Sequence, residues 1–245
     1  RYLLQYNNYL FSKQIKKTDV LVNSTLLYEK YKRSAKSIHE IRTTTLSSSD
    51  FYLREDTCKS DVINLLYTGR IDRQKGLFEL VEATSILFKR GYRVVLNIVG
   101  WEAERHEPIR RALEEFAKEL NIQDKLIFHG RKSVGTELNA MYRIGDIYIL
   151  PSYHEGFPRT IWEAMANSTP VIATKVGAIP SLLTDSKNAI LVEPKNVSVI
   201  CDAIVCIMSK SEFRKNLIKE GYLLARENTL TVQTKNLLST IKSIP

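Results

Sequence analysis

The chain has 245 residues, of which 44% are hydrophobic and 26% are charged, close to the composition of ordinary globular domains. This composition excludes a disordered chain, a collagen-like repeat and a disulfide-stapled miniprotein, and the length allows one large domain or two small ones. The 36 Lys and Arg outweigh the 27 Asp and Glu, giving a net charge of +9. Because the basic residues are dispersed, we expect a solvated basic surface and no nucleic-acid partner.

Several targeting and cofactor signals are missing from the sequence. No uncharged apolar run reaches the roughly 18 residues of a membrane-spanning helix. The chain opens at Arg1, without an initiator Met or a signal peptide, so we expect a fragment of a longer protein. The three cysteines and four histidines show no metal-ligand spacing, so we expect no metal and no other cofactor. Because the three cysteines suggest no disulfide, we expect a reducing compartment and hence a cytoplasmic protein. The positive charge allows peripheral association with the inner face of a membrane.

The N-terminal part contains too little regular structure for a domain of its own. After a tyrosine-rich helix, the pattern predicts a strand at Val20–Asn23, a helix near Leu26–Lys32 and a second run of apolar and polar residues at Ile38–Thr43. One or two β–α units are not stable alone, so residues 1–45 are interpreted as the remnant of a preceding α/β acceptor-binding domain. The polar residues 46–60 are interpreted as an interdomain linker.

Residues 61–229 alternate short apolar runs with amphipathic helices. The predicted strands are Val62–Thr68, Arg93–Val99, Lys125–His129, Asp146–Leu150, Val171–Thr174 and Ala189–Val192. The predicted helices are Leu77–Arg90, Pro108–Leu120, Thr136–Ile144, Thr160–Asn167, Val197–Met208 and Glu212–Arg226, and a last helix falls within residues 230–245. Continuous apolar strands are typical of a parallel sheet that helices cover on both faces. The chain is therefore predicted to be α/β, with a doubly wound Rossmann-like parallel sheet.

The loop after the first of these strands contains candidate phosphate-binding residues. Ligands of open α/β sheets bind beyond the carboxyl ends of the strands. Gly69 allows the backbone to turn there, and Arg70 and Lys75 can reach a phosphate. The loop is not a Walker A motif, because its Lys precedes Gly76. No GxGxxG opens a helix in this chain, which argues against a dinucleotide dehydrogenase.

The loop after the fourth strand leads into a helix near Arg159 and contains two carboxylates. The free N–H groups and the positive dipole end of that helix predict an anion site. Glu155 and Glu163 could form a glycosidase acid/base pair, which requires one carboxyl with a raised pKa. A helix N-terminus favours ionised carboxylates, so hydrogen bonding to hydroxyl groups is the better role. A further tight turn at residues 174–180 favours a ligand cleft over three unrelated loops.

In combination, these motifs resemble the donor-binding domain of the retaining GT-B glycosyltransferases of family 4, the glycosyl transferases group 1. The resemblance rests on Gly69-Arg70 with Lys75-Gly76, on the Glu-x7-Glu pair in EGFPRTIWEAMA, and on TPVIATKVGAIPSLL. It covers roughly residues 60–229 and, more weakly, 19–45. The sequence departs from the family in two places: Gly177-Ala178 stands where Gly-Gly is frequent, and Gly100-Trp101-Glu102 replaces the usual Gly-x-Gly.

The resemblance implies a UDP-, GDP- or ADP-linked sugar bound in the cleft between two Rossmann-like domains. Arg70 and Lys75 would hold the diphosphate and stabilise the leaving nucleotide without a metal, and Glu155 would contact the hydroxyl groups of the donor sugar. These three are the predicted catalytic residues. Glu163 would contact the ribose, and the loop after the third strand would lie near the base. The predicted donor-binding residues are Gly69, Gly130, Arg131, Gly156, Phe157, Pro158, Arg159, Thr160 and Glu163.

The implied function is transfer of a sugar from this donor to a glycan or lipid-linked acceptor with retention of the anomeric configuration. We expect the chain alone to be inactive, because most of the acceptor-binding domain is missing, and we expect the last helix to cross back onto the N-terminal part. Two alternatives stay open. One is a nucleotide-binding module without catalysis. The other is a nucleotide-sugar epimerase of the same architecture, which would need a carboxylate and histidine set that this chain does not display.

Overall fold

A small two-stranded sheet precedes the main body of the protein. The computed structural model describes residues 11, 13–23, 25–42, 44–102, 108–156 and 158–243, so most of the predicted tyrosine-rich helix lies outside the described residues. Strand β1 (Asp19–Val22), helix α1 (Thr25–Tyr31) and strand β2 (Ser37–Glu40) form one β–α–β unit. The two strands pair in parallel, and the Ser37 hydroxyl donates a hydrogen bond to Asp19 across them.

A six-stranded parallel sheet forms the main body. Its strands are β3 (Ile63–Arg70), β4 (Val94–Trp101), β5 (Leu126–Gly130), β6 (Ile147–Leu150), β7 (Val171–Thr174) and β8 (Ile190–Val192). The helices are α2 (Leu77–Lys89), α3 (Ile109–Glu119), α4 (Thr136–Ile144), α5 (Arg159–Ala166), α6 (Ile179–Leu182), α7 (Val197–Ser209), α8 (Ser211–Arg226) and α9 (Leu230–Ser243). The strand order is β5-β4-β3-β6-β7-β8, which confirms the predicted doubly wound Rossmann-like fold.

The apolar runs form the sheet because both of its faces are buried. Leu65, Leu66 and Tyr67 are consecutive residues of β3 with no exposed surface, so side chains on both sides of the strand meet the core. Strand β3 pairs with β4 on one side and β6 on the other, and the chain reverses its direction of winding there. In this topology the crevice beyond the carboxyl ends of β3 and β6 is the expected position of a ligand.

The polar segment 46–60, predicted to be a linker, packs along the six-stranded body. Leu46 and Thr57 are buried. The Asp56 carboxylate accepts hydrogen bonds from Nε (2.6 Å) and Nη2 (2.9 Å) of Arg214 on α8. The guanidinium of Arg54 donates to the carbonyl oxygens of Arg143 (2.7 Å) and Gly145 (2.6 Å) at the end of α4. The segment is thus held against two helices by the buried Arg214 and the partly buried Arg54.

The last helix lies beside the end of the small sheet. Residues 40–42 and α9 line a common crevice of about 450 Å³. Arg42 Nη1 donates to Asn228 Oδ1 at 3.3 Å, and the N–H of Leu230 donates to the carbonyl of Leu46 at 2.8 Å. Helix α9 therefore returns toward the N-terminal part, although much of the segment 1–17 lies outside the described residues.

Candidate donor site at the carboxyl edge of the sheet

A cleft of about 630 Å³ opens at the carboxyl ends of β3, β4 and β5, and the first turns of α5 form one side of it. Five of the predicted donor-binding residues line this cleft: Gly69, Arg131, Arg159, Thr160 and Glu163. Its wall also includes Thr68, Val99, Gly100, Trp101, Lys132, Ser133, Val134 and Leu138. Three cations and one carboxylate thus face the same space, an arrangement that suits an anionic ligand carrying hydroxyl groups.

The predicted catalytic residues Lys75 and Glu155 meet each other directly. Lys75 Nζ lies 2.6 Å from Glu155 Oε1, and the side chains are only 15% and 11% exposed. The loops that carry them are also joined by their backbones, because the N–H of Tyr153 donates to the carbonyl of Gln74 at 2.8 Å. Gly76 has φ +65°, and a Cβ there would lie 2.1 Å from the carbonyl oxygen of Pro151. Close contact between the two loops therefore requires glycine at this position.

The turn after β7 also contacts the loop that carries Glu155. Gly177 has φ +57°, and a Cβ there would lie 1.7 Å from the carbonyl oxygen of Glu155. Ala178 adopts a right-handed helical conformation, and its methyl group is buried. The departure from Gly-Gly therefore leaves the turn intact, because only Gly177 makes the close approach. The three loops after β3, β6 and β7 meet at one edge, as the sequence predicted.

Arg70 lies at the end of the central strand β3. Its Nη2 is 3.7 Å from Asp72 Oδ2, and the side chain is 58% exposed. The Tyr67 hydroxyl donates to the carbonyl oxygen of Arg70 at 2.6 Å and so fixes the backbone beneath it. Arg70 is paired in register with Trp101 of β4. It is therefore adjacent to a strand that lines the cleft and has its side chain available to a ligand.

Trp101 is a residue of the cleft that sequence reasoning did not assign. Its ring is 44% exposed, and the guanidinium carbon of Arg131 lies 5.0 Å from the ring centroid, in cation–π contact. The sequence signal was present, since a large aromatic residue stands at the end of a buried strand, next to the position where Glu102 replaces a family glycine. The Trp101–Arg131 stack forms one wall of the cleft and faces the space where the sequence placed the base.

The pKa of Glu163 is shifted in the direction opposite to the one expected at a helix N-terminus. Its Oε2 accepts a hydrogen bond of 2.8 Å from the Tyr142 hydroxyl. Burial raises the pKa of Glu163, and neither that hydrogen bond nor the positive charge of Arg159 reverses the shift. A helix N-terminus favours the ionised form, but Glu163 lies past the first turn of α5, where desolvation outweighs that effect and moves the pKa upward.

The beginning of α5 is available to an anion. Its N-cap residue is Pro158, which makes no side-chain capping bond to the first turn within the described part of the chain. Gly156 and Gly130 have open space where a Cβ would stand, so a ligand can approach the backbone of their loops closely. Phe157, the remaining predicted residue, lies outside the described residues. Gly130 ends β5 and leads into the cleft-lining loop.

The described residues offer no metal-binding cluster, and burial makes the Cys58 thiol a poor nucleophile. In the described part of the chain, no group of three or more His, Cys, Asp or Glu side chains is arranged to hold a metal ion. No helix within the described ranges is long and apolar enough to cross a membrane. Cys58, Cys201 and Cys206 are free thiols, and burial raises the pKa of Cys58 to about 11. A thiol with such a pKa is a poor nucleophile at neutral pH.

A family model, curated proteins and a solved structure all indicate the same family for this chain. Residues 51–224 match the family described as glycosyl transferases group 1. The D-inositol 3-phosphate glycosyltransferase of Paenarthrobacter aurescens is 30% identical over 161 residues, which cover 65% of this chain but only 38% of that protein. The C-terminal domain of the glycosyl transferase group 1 family protein LpcC from Francisella tularensis is 31% identical, covering 69% of this chain and 87% of that domain, with a TM-score of 0.63. Anabaena HepE in complex with UDP-glucose shares the fold, with a TM-score of 0.76 at 16% identity over 91% of this chain and 63% of that one.

Proposed function

The chain belongs to the glycosyl transferases group 1 family, and we propose that it is the part of a glycosyltransferase that binds a nucleotide-sugar donor. Residues 61–229 are the proposed donor-binding domain, with residues 230–245 crossing back to the remnant 1–45. The observation that carries the proposal is the cleft itself, because Arg131, Lys132 and Arg159 face one space with the uncapped end of α5. The chain spans 38% of the curated relative described above, so the activity of the whole protein is part of the proposal.

The donor we propose is a nucleoside diphosphate sugar. Backbone N–H groups at a helix start and nearby guanidinium groups suit a diphosphate, and an exposed indole suits a planar base. Glu163 can accept hydrogen bonds from ribose hydroxyls at the side of the cleft opposite β5. The Anabaena relative with UDP-glucose bound supports this class of ligand.

The proposed catalytic chemistry is electrostatic. In the absence of ligand, Lys75 and Glu155 neutralise each other over 2.6 Å. A diphosphate would offer Lys75 and Arg70 a doubly charged partner, which would release Glu155 to accept hydrogen bonds from the sugar hydroxyls. As the bond between the anomeric carbon and the phosphate oxygen breaks, negative charge grows on the departing nucleotide. The two cations would stabilise that charge without a metal.

The choice of acceptor and the stereochemistry of transfer depend on the whole protein and not on this chain alone. We propose that the sugar passes to a glycan or lipid-linked acceptor with retention of configuration, and that this chain alone does not catalyse the transfer. The net charge of +9 would favour the approach of a cytoplasmic enzyme to an anionic membrane surface. The proton NMR spectrum of the product made by the longer protein tests retention, because the anomeric coupling constants of product and donor then agree.

Three substitutions test the site. Arg70→Ala, Lys75→Ala and Glu155→Ala should each weaken nucleotide-sugar binding in calorimetry by about 1.5–3 kcal/mol, the usual value of a charge-assisted hydrogen bond. Lys89→Ala, at an exposed position at the end of α2, is the matched control and should bind as the original chain does. Unchanged affinity in all three variants would reject the assignment.

A further inference from the structure

A chain of buried hydroxyl groups ends on the carboxylate of Glu163. Thr68 Oγ1 lies 2.7 Å from the Tyr142 hydroxyl, which lies 2.8 Å from Glu163 Oε2. A carboxylate can only accept, so Tyr142 donates to Glu163 and accepts from Thr68. Tyr142 has no exposed surface, whereas Thr68 and Glu163 both line the cleft. Sequence reasoning assigned no role to Tyr142.

We propose that Tyr142 is a positioning residue that aims the Glu163 carboxylate at the ribose of the donor nucleotide. The inference rests on the proposed function, since it requires a nucleotide in the cleft. One oxygen of a carboxylate has about two acceptor sites, so the bond to Oε2 fixes the rotation of the group and leaves further acceptor capacity toward the cleft. Without the hydroxyl, the carboxylate can rotate and its acceptors no longer point in one direction.

Tyr142 can fulfil this role because its own position is fixed on both sides. Its carbonyl oxygen accepts a hydrogen bond of 2.9 Å from Thr169 Oγ1. Arg54 binds the next carbonyls of α4, and its Nη2 also donates to Thr169 Oγ1 at 2.9 Å. The Tyr142 ring packs edge-on against Tyr148 at 5.7 Å between centroids. A hydroxyl held in this way restricts the orientation of the carboxylate that it binds, in addition to supplying that carboxylate with a hydrogen bond.

The partly buried environment of Glu163 makes the hydrogen bond valuable. Desolvation raises the pKa of this carboxyl, and the Tyr142 hydroxyl opposes the shift by binding the ionised form. The same bond therefore orients the acceptor and maintains its charge. A tyrosine that only filled space would do neither.

The test compares ribose recognition in three proteins. UDP, GDP and ADP and their 2′-deoxy and 3′-deoxy forms are titrated calorimetrically into the original chain, Tyr142→Phe and Thr84→Val. Thr84 is the matched control, because its buried hydroxyl donates within its own helix, at 2.8 Å to the Leu80 carbonyl, and Thr84 is not among the described residues that line the cleft. The readout is the ratio of the dissociation constants of the deoxy and ribose forms. Loss of one hydrogen bond should lower this ratio about 3- to 10-fold in Tyr142→Phe and leave it unchanged in Thr84→Val.

The outcomes separate the two proposals. A ratio that falls in Tyr142→Phe but not in Thr84→Val supports the positioning role. If the original chain discriminates between ribose and deoxyribose and Tyr142→Phe does so equally, Tyr142 does not position Glu163. Failure of the original chain to bind any of the nucleotides rejects the proposed function itself. If Tyr142→Phe does not fold, Thr68→Val removes the donor to Tyr142 and must lower the same ratio; an unchanged ratio there overturns the inference.

Discussion

Gly177→Ala should damage the candidate site from a position that carries no functional group. The new methyl group would stand 1.7 Å from the carbonyl oxygen of Glu155, and φ is +57°. The left-handed conformation costs an alanine roughly 1–2 kcal/mol, and forced overpacking adds about 1–3 kcal/mol. We therefore expect a total loss of about 2–5 kcal/mol in the free energy of unfolding.

Gly91→Ala is the matched control. Gly91 also has a positive φ, of +87°, but a Cβ there meets nothing within 4 Å. This variant should lose only the backbone contribution of roughly 1–2 kcal/mol. Urea unfolding of both variants measures the difference, which we attribute to the contact with Glu155. Calorimetry should show weaker nucleotide-sugar binding in Gly177→Ala alone, because displacement of the loop moves Glu155 away from the position in which it would meet the sugar hydroxyls. Equal destabilisation of the two variants would refute the claim that this contact holds the loop.

Three other predictions concern charges. Arg214→Met should destabilise the chain by about 3–5 kcal/mol in urea unfolding, because it leaves the largely buried Asp56 carboxylate, 12% exposed, without its partner. Burial alone would raise the pKa of Asp56, but the hydrogen bonds from Arg214 lower it. The pair therefore stabilises the fold above about pH 4, and this stability is lost as the pH falls through the pKa of Asp56 in the folded protein. If the stability of Arg214→Met falls equally steeply with pH, the pair does not have this role. In a double-mutant cycle, Lys75→Met and Glu155→Gln should show coupled rather than additive effects on stability, since their side chains form one largely buried ion pair. Because burial raises the pKa of Glu163, nucleotide affinity should weaken on acidification by an amount that Glu163→Gln removes; identical pH profiles for both proteins would exclude this group.

The sheet could be predicted because its signals are local. Each strand from β3 to β8 is a short apolar run, and the predicted limits lie within two residues of those observed. The topology then follows from the parallel connections, and the topology places the loops after β3, β6 and β7 at one edge. Gly69, Arg131, Arg159, Thr160 and Glu163 were predicted as donor-binding residues from the family resemblance of the loops that carry them, and all five line the cleft.

Contacts between distant side chains could not be predicted in the same way. Lys75 and Glu155 are 80 positions apart in sequence, and no periodicity indicates that they pair. Tyr142 lies within the predicted helix Thr136–Ile144, and its bond to Glu163 depends on how α4 and α5 pack. The polar segment 46–60 was predicted from its composition to be an interdomain linker, and its packing could not be foreseen where an anchor such as Arg54 binds backbone carbonyls. Carbonyl partners leave no trace in the sequence.

The central claim is that the cleft binds a nucleoside diphosphate sugar. Calorimetric titration of the original chain with UDP, GDP and ADP, and then with the corresponding nucleotide sugars, tests it most directly. The claim predicts saturable binding of one nucleotide in preference to the others, with the affinity greatly reduced in Arg70→Ala. Absence of binding by all three nucleotides and their sugars, or binding that Arg70→Ala leaves unchanged, would contradict it.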